Sequence, residues 1–133
     1  MRVVLDANVA IAAVATHGLC QAIFELCLEH HQIVTCNAIL DEIQTKLIHK
    51  LKVPAPIVAD FLSLLQQNAL LLDPEPIAPF ACRDPNDLMI LGLVRPGKIN
   101  AIITGDKDLL VLNQFHQAHI LSPRQFWQLN KTP

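Results

Sequence analysis

Short aliphatic runs alternate along this chain with segments whose apolar positions recur at helical spacing, and that alternation predicts its layout. Val3-Val4-Leu5, Ile33-Val34-Thr35-Cys36, Ala69-Leu70-Leu71-Leu72-Asp73, Ala101-Ile102-Ile103-Thr104 and Ala118-His119-Ile120-Leu121 read as strands. Val9 to Val14 reads as a short helix broken by Thr16-His17-Gly18, and Leu19, Ile23, Leu26 and Cys27 mark the face of a longer one ending at His30-His31-Gln32. Asn37 reads as the N-cap of a helix over Ala38 to Ile48. The prolines after Val53 suit a helix from about Pro56 to Asn68 whose apolar face is Ile57, Phe61, Leu64 and Leu65. Pro74 to Arg83 holds three of the nine prolines and reads as a loop. Asp84-Pro85-Asn86-Asp87 opens a helix to Val94 that Arg95-Pro96-Gly97 closes, and Pro123 starts a terminal helix bearing Phe126, Trp127 and Leu129. Strand and helix in alternation predict an α/β fold: one domain over residues 1–133 with a central parallel sheet of about five strands, right-handed crossovers and helices on both faces.

Composition narrows the function classes without choosing one. Hydrophobic residues make up 52% of the chain, yet every apolar run is short and broken, so no segment is a candidate membrane span and a cytoplasmic protein is expected. The four cysteines form no C-x-x-C pair and read as free buried thiols. With a net charge of -2, nucleic-acid binding would need a local basic patch. Aromatic residues are only 5% of the chain, which argues against a stacking platform for single-stranded bases.

The chemistry-bearing positions are acidic, and each has a local alternative. Asp6 ends the first strand, where a carboxylate is partly desolvated, although a turn or helix cap would use the same residue. Asn8 is a second cap or an orienter of water. Glu42 stands four residues before Lys46, the spacing of an ordinary solvated helix pair. Asp84, Pro85 and Asp87 reproduce a helix start that needs no function, but an acid in the first turn can also project into a cleft. Thr104-Gly105-Asp106-Lys107-Asp108 repeats the geometry of Asp6: an apolar strand, a tight turn that Gly105 allows, then acids. Each local explanation must be invoked afresh, whereas one shared site explains all of them. Carboxylates converging at one sheet edge repel unless a cation neutralises them, and an oxygen-only set suits Mg²⁺ or Mn²⁺ better than Zn²⁺. His30 and His31 lie at a helix end, His49 lies on a helix, and His116 and His119 flank the last strand with no adjacent cysteine; all six histidines read as solvated or structural.

Val3-Val4-Leu5-Asp6-Ala7-Asn8, Glu42 within Ile39-Leu40-Asp41-Glu42-Ile43, Asp84-Pro85-Asn86-Asp87, Ile102 to Leu110 and Leu121-Ser122-Pro123-Arg124-Gln125-Phe126 together resemble the PIN-domain nucleases, in particular the PIN-like, VapC-like toxins of prokaryotic toxin-antitoxin pairs. The resemblance implies a PIN-like α/β domain acting as a divalent-metal-dependent ribonuclease. It implies Asp6, Glu42, Asp87 and Asp106 as catalytic and metal-holding residues, with Asp108 a further metal residue. Asn8, Asp84 and Thr104 would support the site or orient water, and Lys46, Arg83 and Lys107 would contact RNA. Mg²⁺ or Mn²⁺ as cofactor, an RNA substrate, a cognate antitoxin and a homodimer follow from the same resemblance. Asn86, Leu88 and Met89 depart from it, standing where many relatives carry polar or charged residues, and Arg95 to Asn100 replace the usual small, Gly-rich link. The competing expectation is a catalytically inactive PIN-like module that binds RNA or protein. A haloacid-dehalogenase-like phosphotransfer site is disfavoured because it needs an Asp where Asn8 stands, and a receiver-like site because the chain lacks paired acids near its start.

Overall fold

The computed structural model of the chain describes residues 1–131. Its sheet has six strands: β1 (Arg2–Leu5), β2 (Gln32–Thr35), β3 (Ala69–Leu71), β4 (Ala101–Ile103), β5 (Gln114–Phe115) and β6 (Ala118–Leu121). They lie in the order β3-β2-β1-β4-β6-β5, all parallel except β5, which pairs antiparallel with β6. Consecutive residues of β1 and β4 are buried, Val3, Val4, Ile102 and Ile103 completely, so both faces of the sheet centre are covered. That is why these strands read as unbroken β-branched runs instead of alternating with polar residues. The sequence predicts about five strands; β5 is the addition, a two-residue hairpin arm with no alternation to betray it.

Chain path matters more to function than strand count. From β1 the chain moves outward through β2 to β3, then returns to the other side of β1 for β4 and continues to β6. Crossovers therefore leave β1 and β4 in opposite directions, which opens a crevice at the carboxyl ends of those two strands. Val3 pairs with Ala101 and Leu5 with Ile103, and the ladder continues into Asp6, whose N–H donates to the Ile103 carbonyl at 3.0 Å.

Helices α1 (Ala7–Ala15) and α2 (Leu19–His30) follow β1; α3 (Asn37–Thr45) follows β2 and passes into a π-helical turn, Lys46–Lys50; α4 (Ala55–Asn68) leads into β3. Short helices α5 (Leu88–Leu91) and α6 (Val94–Gly97) precede β4, α7 (Lys107–Leu110) follows it, and α8 (Pro123–Lys131) comes last. No single helix among the described residues is long and apolar enough to cross a membrane. The four cysteines are free thiols, Cys27, Cys36 and Cys82 buried and Cys20 half-buried.

Four details correct the sequence reading. Asn37 is the first helical residue of α3, and Cys36 occupies the cap position without a side-chain bond. In α4 the buried residues are Val58 and Leu65, while Ile57 and Leu64 stay exposed on a groove shared with α1 and α2; docking has turned the helix off its apparent apolar stripe. The helix after Asp87 does not run unbroken to Val94, and Arg95-Pro96-Gly97 lies inside α6 instead of closing it. The break falls at Gly92, whose carbonyl accepts from Glu75 N–H at 2.8 Å, and a Cβ there would meet the Glu75 carbonyl oxygen at 2.5 Å. Gly105 has no positive φ and open space around it, so the turn after β4 does not require glycine.

Candidate active site

The acids reach the crevice from four places in the chain. Asp6 follows β1; Glu42 projects from the second turn of α3; Asp84 and Asp87 bracket a 3₁₀ turn, Pro85–Asp87; Asp106 and Asp108 open α7. Asp6 and Asp87 are each only 5% exposed, a costly position for carboxylates unless something neutralises them.

Thr104, fully buried at the end of β4, wires the two central acids together. Its hydroxyl donates to Asp6 Oδ2 at 2.7 Å and accepts from the Asp106 N–H at 3.0 Å. Asp106 in turn accepts from the Asp108 N–H at 2.9 Å, and Asp84 accepts from the Asn86 N–H at 3.0 Å. The capping explanation of Asp84 and Asp106 is therefore true, and it does not exclude the shared site. Asp84, Asp87 and Asp106 each present a carboxylate oxygen within 4.8 Å of the others. Asp6 and Glu42 lie outside that tight triad but line, with Asp87, a cleft of about 130 Å³ completed by Ala7, Ala38, Ile39, Asn86, Met89 and Ile90. Asp84, expected from the sequence to support the site, is one of the three acids of that triad. For Asp108 the bonds at the site are made by its backbone, to Asp106 and to Cys82.

Electrostatics follow from this crowding. Burial pushes Asp87 up to about 7, helped by a hydrogen bond and charge from Asp106 and then by the charges of Asp6 and Asp84. Asp6 is also raised by burial, opposed by the Thr104 hydrogen bond and reinforced by the Asp106 charge. With only its own side chains, the cluster neutralises itself by holding a proton where a cation would serve as well. Its donors are all carboxylate oxygens, which fits a hard divalent ion and not the nitrogen and sulfur sets of zinc.

Cys82 reads from the sequence as one more buried thiol, with no sign of its place at the site. Buried in the loop before Asp84, it puts Sγ 3.8 Å from Asp87 Oδ2 and 3.5 Å from the Asp108 carbonyl oxygen. Burial raises its thiol, with the nearby Asp87 and Asp108 charges adding to the rise, so it acts as a weak donor to the cluster. Of the cations, Lys46 reaches the site, with Nζ 3.7 Å from Glu42 Oε2 and 3.3 Å from Asn8 Oδ1. Arg83 and Lys107 are exposed beside Asp84 and Asp106 in the chain.

A family model described as PIN domain matches residues 2–108, a span that contains every acid of the site. The chain belongs to the PIN domain family. PIN domains are generally nucleases, which makes phosphodiester hydrolysis the kind of chemistry to expect here. Two solved structures share the PIN fold at low identity. A chain of VapBC2 from Rickettsia felis, crystallised bound to a DNA fragment from their promoter, is 14% identical with a TM-score of 0.63, over 92% of this chain and 98% of that one. PAE2754 from Pyrobaculum aerophilum is 12% identical with a TM-score of 0.68, over 100% of this chain and 97% of that one. None of the curated proteins compared with it matches this PIN domain.

Proposed function

We propose that this PIN domain is a divalent-metal-dependent ribonuclease and the toxin of a toxin-antitoxin pair. The observation that carries the nuclease reading is the convergence of Asp6, Asp84, Asp87 and Asp106 at the switch between β1 and β4, two of them buried. The toxin role draws on the likeness to the Rickettsia felis VapBC2 structure, with an antitoxin as partner and a homodimer as the assembly.

Asp84, Asp87 and Asp106 would hold Mg²⁺ or Mn²⁺ as a close triad, and Asp6 and Glu42, which line the same cleft with Asp87, would complete the ligand set there. Bound there, such an ion supplies charge to a scissile phosphate and makes a water easier to deprotonate. The chain's own part is to hold the acids still. Thr104 fixes the Asp6 carboxylate and the Asp106 backbone at once, so neither can turn away from the crevice without breaking a buried hydrogen bond. Asp87 would have to lose its proton to bind such an ion, a proton that burial and its acidic neighbours otherwise hold on the carboxyl. Asn8 faces solvent at the start of α1, with its amide nitrogen free to orient a water while its oxygen accepts from Lys46. Arg83 and Lys107, exposed beside Asp84 and Asp106 in the chain, would meet the RNA backbone.

The test is cleavage of single-stranded RNA in Mg²⁺ or Mn²⁺ by the protein and by folded Asp6→Asn and Asp106→Asn variants. Cleavage by the parent and its loss in both variants is the expected result. Cleavage that survives both substitutions overturns the metal site. RNA binding without cleavage in any of these ions leaves the non-enzymatic RNA-binding module as the function.

A further inference from the structure

Lys46 departs from an ordinary helix pair in one respect. Its contact with Glu42, four residues earlier on α3, has the spacing of a solvated ion pair. Its second contact leaves the helix: Asn8, 38 residues earlier, belongs to the first turn of α1. The ammonium therefore bridges two walls of the acid cleft, α1 on one side and α3 on the other, at the point where α3 turns π-helical. Of the ion pairs among the described residues, His30 with Glu29 and Arg95 with Glu75 lie elsewhere, and the Lys46 pair alone involves a residue lining the cleft.

We infer that Lys46 is a phosphate-binding residue held in reserve, its ammonium resting on Glu42 and Asn8 until a divalent ion engages Glu42 and then turning to a backbone phosphate of single-stranded RNA. The inference rests on the metal-dependent nuclease reading. Both partners of the pair are more than a third exposed, 36% and 38%, so the contact is weak and screened and little is lost on release. Once the charge of Glu42 is shared with a divalent cation, the strongest anion within reach of the ammonium is the substrate. A chain of net charge -2 needs such a local cation to admit RNA to an acidic crevice.

The experiment measures binding of a phosphorothioate single-stranded RNA, which resists cleavage, by fluorescence anisotropy at several salt concentrations, in Mn²⁺ and in chelator. The parent, Lys46→Met and Lys46→Arg are compared, and Mn²⁺ affinity is titrated separately. In Mn²⁺, Lys46→Met is expected to flatten the slope of log affinity against log salt by about 0.7, the value of one phosphate contact on a single strand. The loss should be smaller in chelator, where the ammonium rests on Glu42, and Lys46→Arg should keep the parent slope. Mn²⁺ should bind Lys46→Met no more weakly than the parent. An unchanged slope, an equal loss in both conditions, or a parallel loss of Mn²⁺ affinity overturns the inference alone. Failure of Mn²⁺ to bind the parent overturns the nuclease reading and this inference with it.

Discussion

Asp87→Asn should make the metal-free protein more stable while abolishing its activity. The folded carboxyl sits at about 7 against an ordinary value of 3.8, with burial as the largest cause. Forcing it to ionise at high pH costs about 1.4 kcal/mol per pH unit of that difference, or about 4 kcal/mol as an upper bound. Part of the cost is relieved by the Cys82 thiol and by adjustment of Asp106, so about 2 kcal/mol is a realistic gain for the neutral amide. The sign is fixed by linkage: the native state binds the extra proton between pH 4 and pH 7, so its stability falls as pH rises through that window. The assay is thermal unfolding in chelator at pH 5 and at pH 8.5. At pH 8.5 the variant should melt about 6–10 °C above the parent, taking roughly 3–5 °C per kcal/mol for a chain of this size. At pH 5 the folded carboxyl is protonated while the unfolded one is already largely ionised, so the difference should shrink to about a third of its value at pH 8.5. A gain of equal size at both pH values, or a loss at pH 8.5, would refute the argument. Saturating Mn²⁺ should reverse the order, because it stabilises the parent by binding and finds one ligand fewer in the variant.

Thr104→Val removes the hydroxyl that serves Asp6 and Asp106 together, so it should cost about 1–3 kcal/mol by urea unfolding at pH 8 and reduce cleavage, while Thr104→Ser keeps most of both. Gly92→Ala should destabilise by about 1–3 kcal/mol, since its Cβ would meet backbone at 2.5 Å, whereas Gly105→Ala, in open space, should be neutral or slightly stabilising; equal melting temperatures for the two would contradict the packing described. Thr35→Val should raise stability by about 1 kcal/mol in the same melts, because the Thr35 hydroxyl is buried and makes no hydrogen bond; its strand register puts it on the sheet face opposite Asp6, so RNA cleavage should not change.

What the sequence made legible follows the physics of each element. β1, β2 and β4 are buried on both faces or nearly so, and their apolar runs announce it, while β6 alternates, with His119 exposed between Ala118 and Ile120. β5 is two residues long and carries no pattern at all. Asp6 and Asp106 were readable because each ends an apolar strand, and adjacency of β1 and β4 follows once the crossovers change direction. Asp84 reads from its own neighbours as a cap, and its supporting role came only from the family resemblance, because nothing in Asp84-Pro85-Asn86-Asp87 says that Asp106 will lie beside it. Cys82 and the break at Gly92 share one reason for being missed. Both depend on how the irregular segment from Leu72 to Arg83 packs back on the helices that follow it, and loop packing leaves no period in the sequence. The misplaced face of α4 shows the converse: periodicity identified a helix, but neighbouring helices chose which side to cover.

The hydrogen bond from Thr104 to Asp6 joins residues 98 positions apart. Long-range pairing of this kind is slow, since the entropy of closing so long a loop is spent before any contact repays it. A growing polypeptide made at roughly 5–20 residues per second holds Asp6 for several seconds before Asp106 is translated. The crevice therefore cannot close before β4 and the first turn of α7 have left the ribosome. For the proposed ribonuclease, that order of assembly would keep Asp6 apart from its partner acids during synthesis until the turn after β4 has formed.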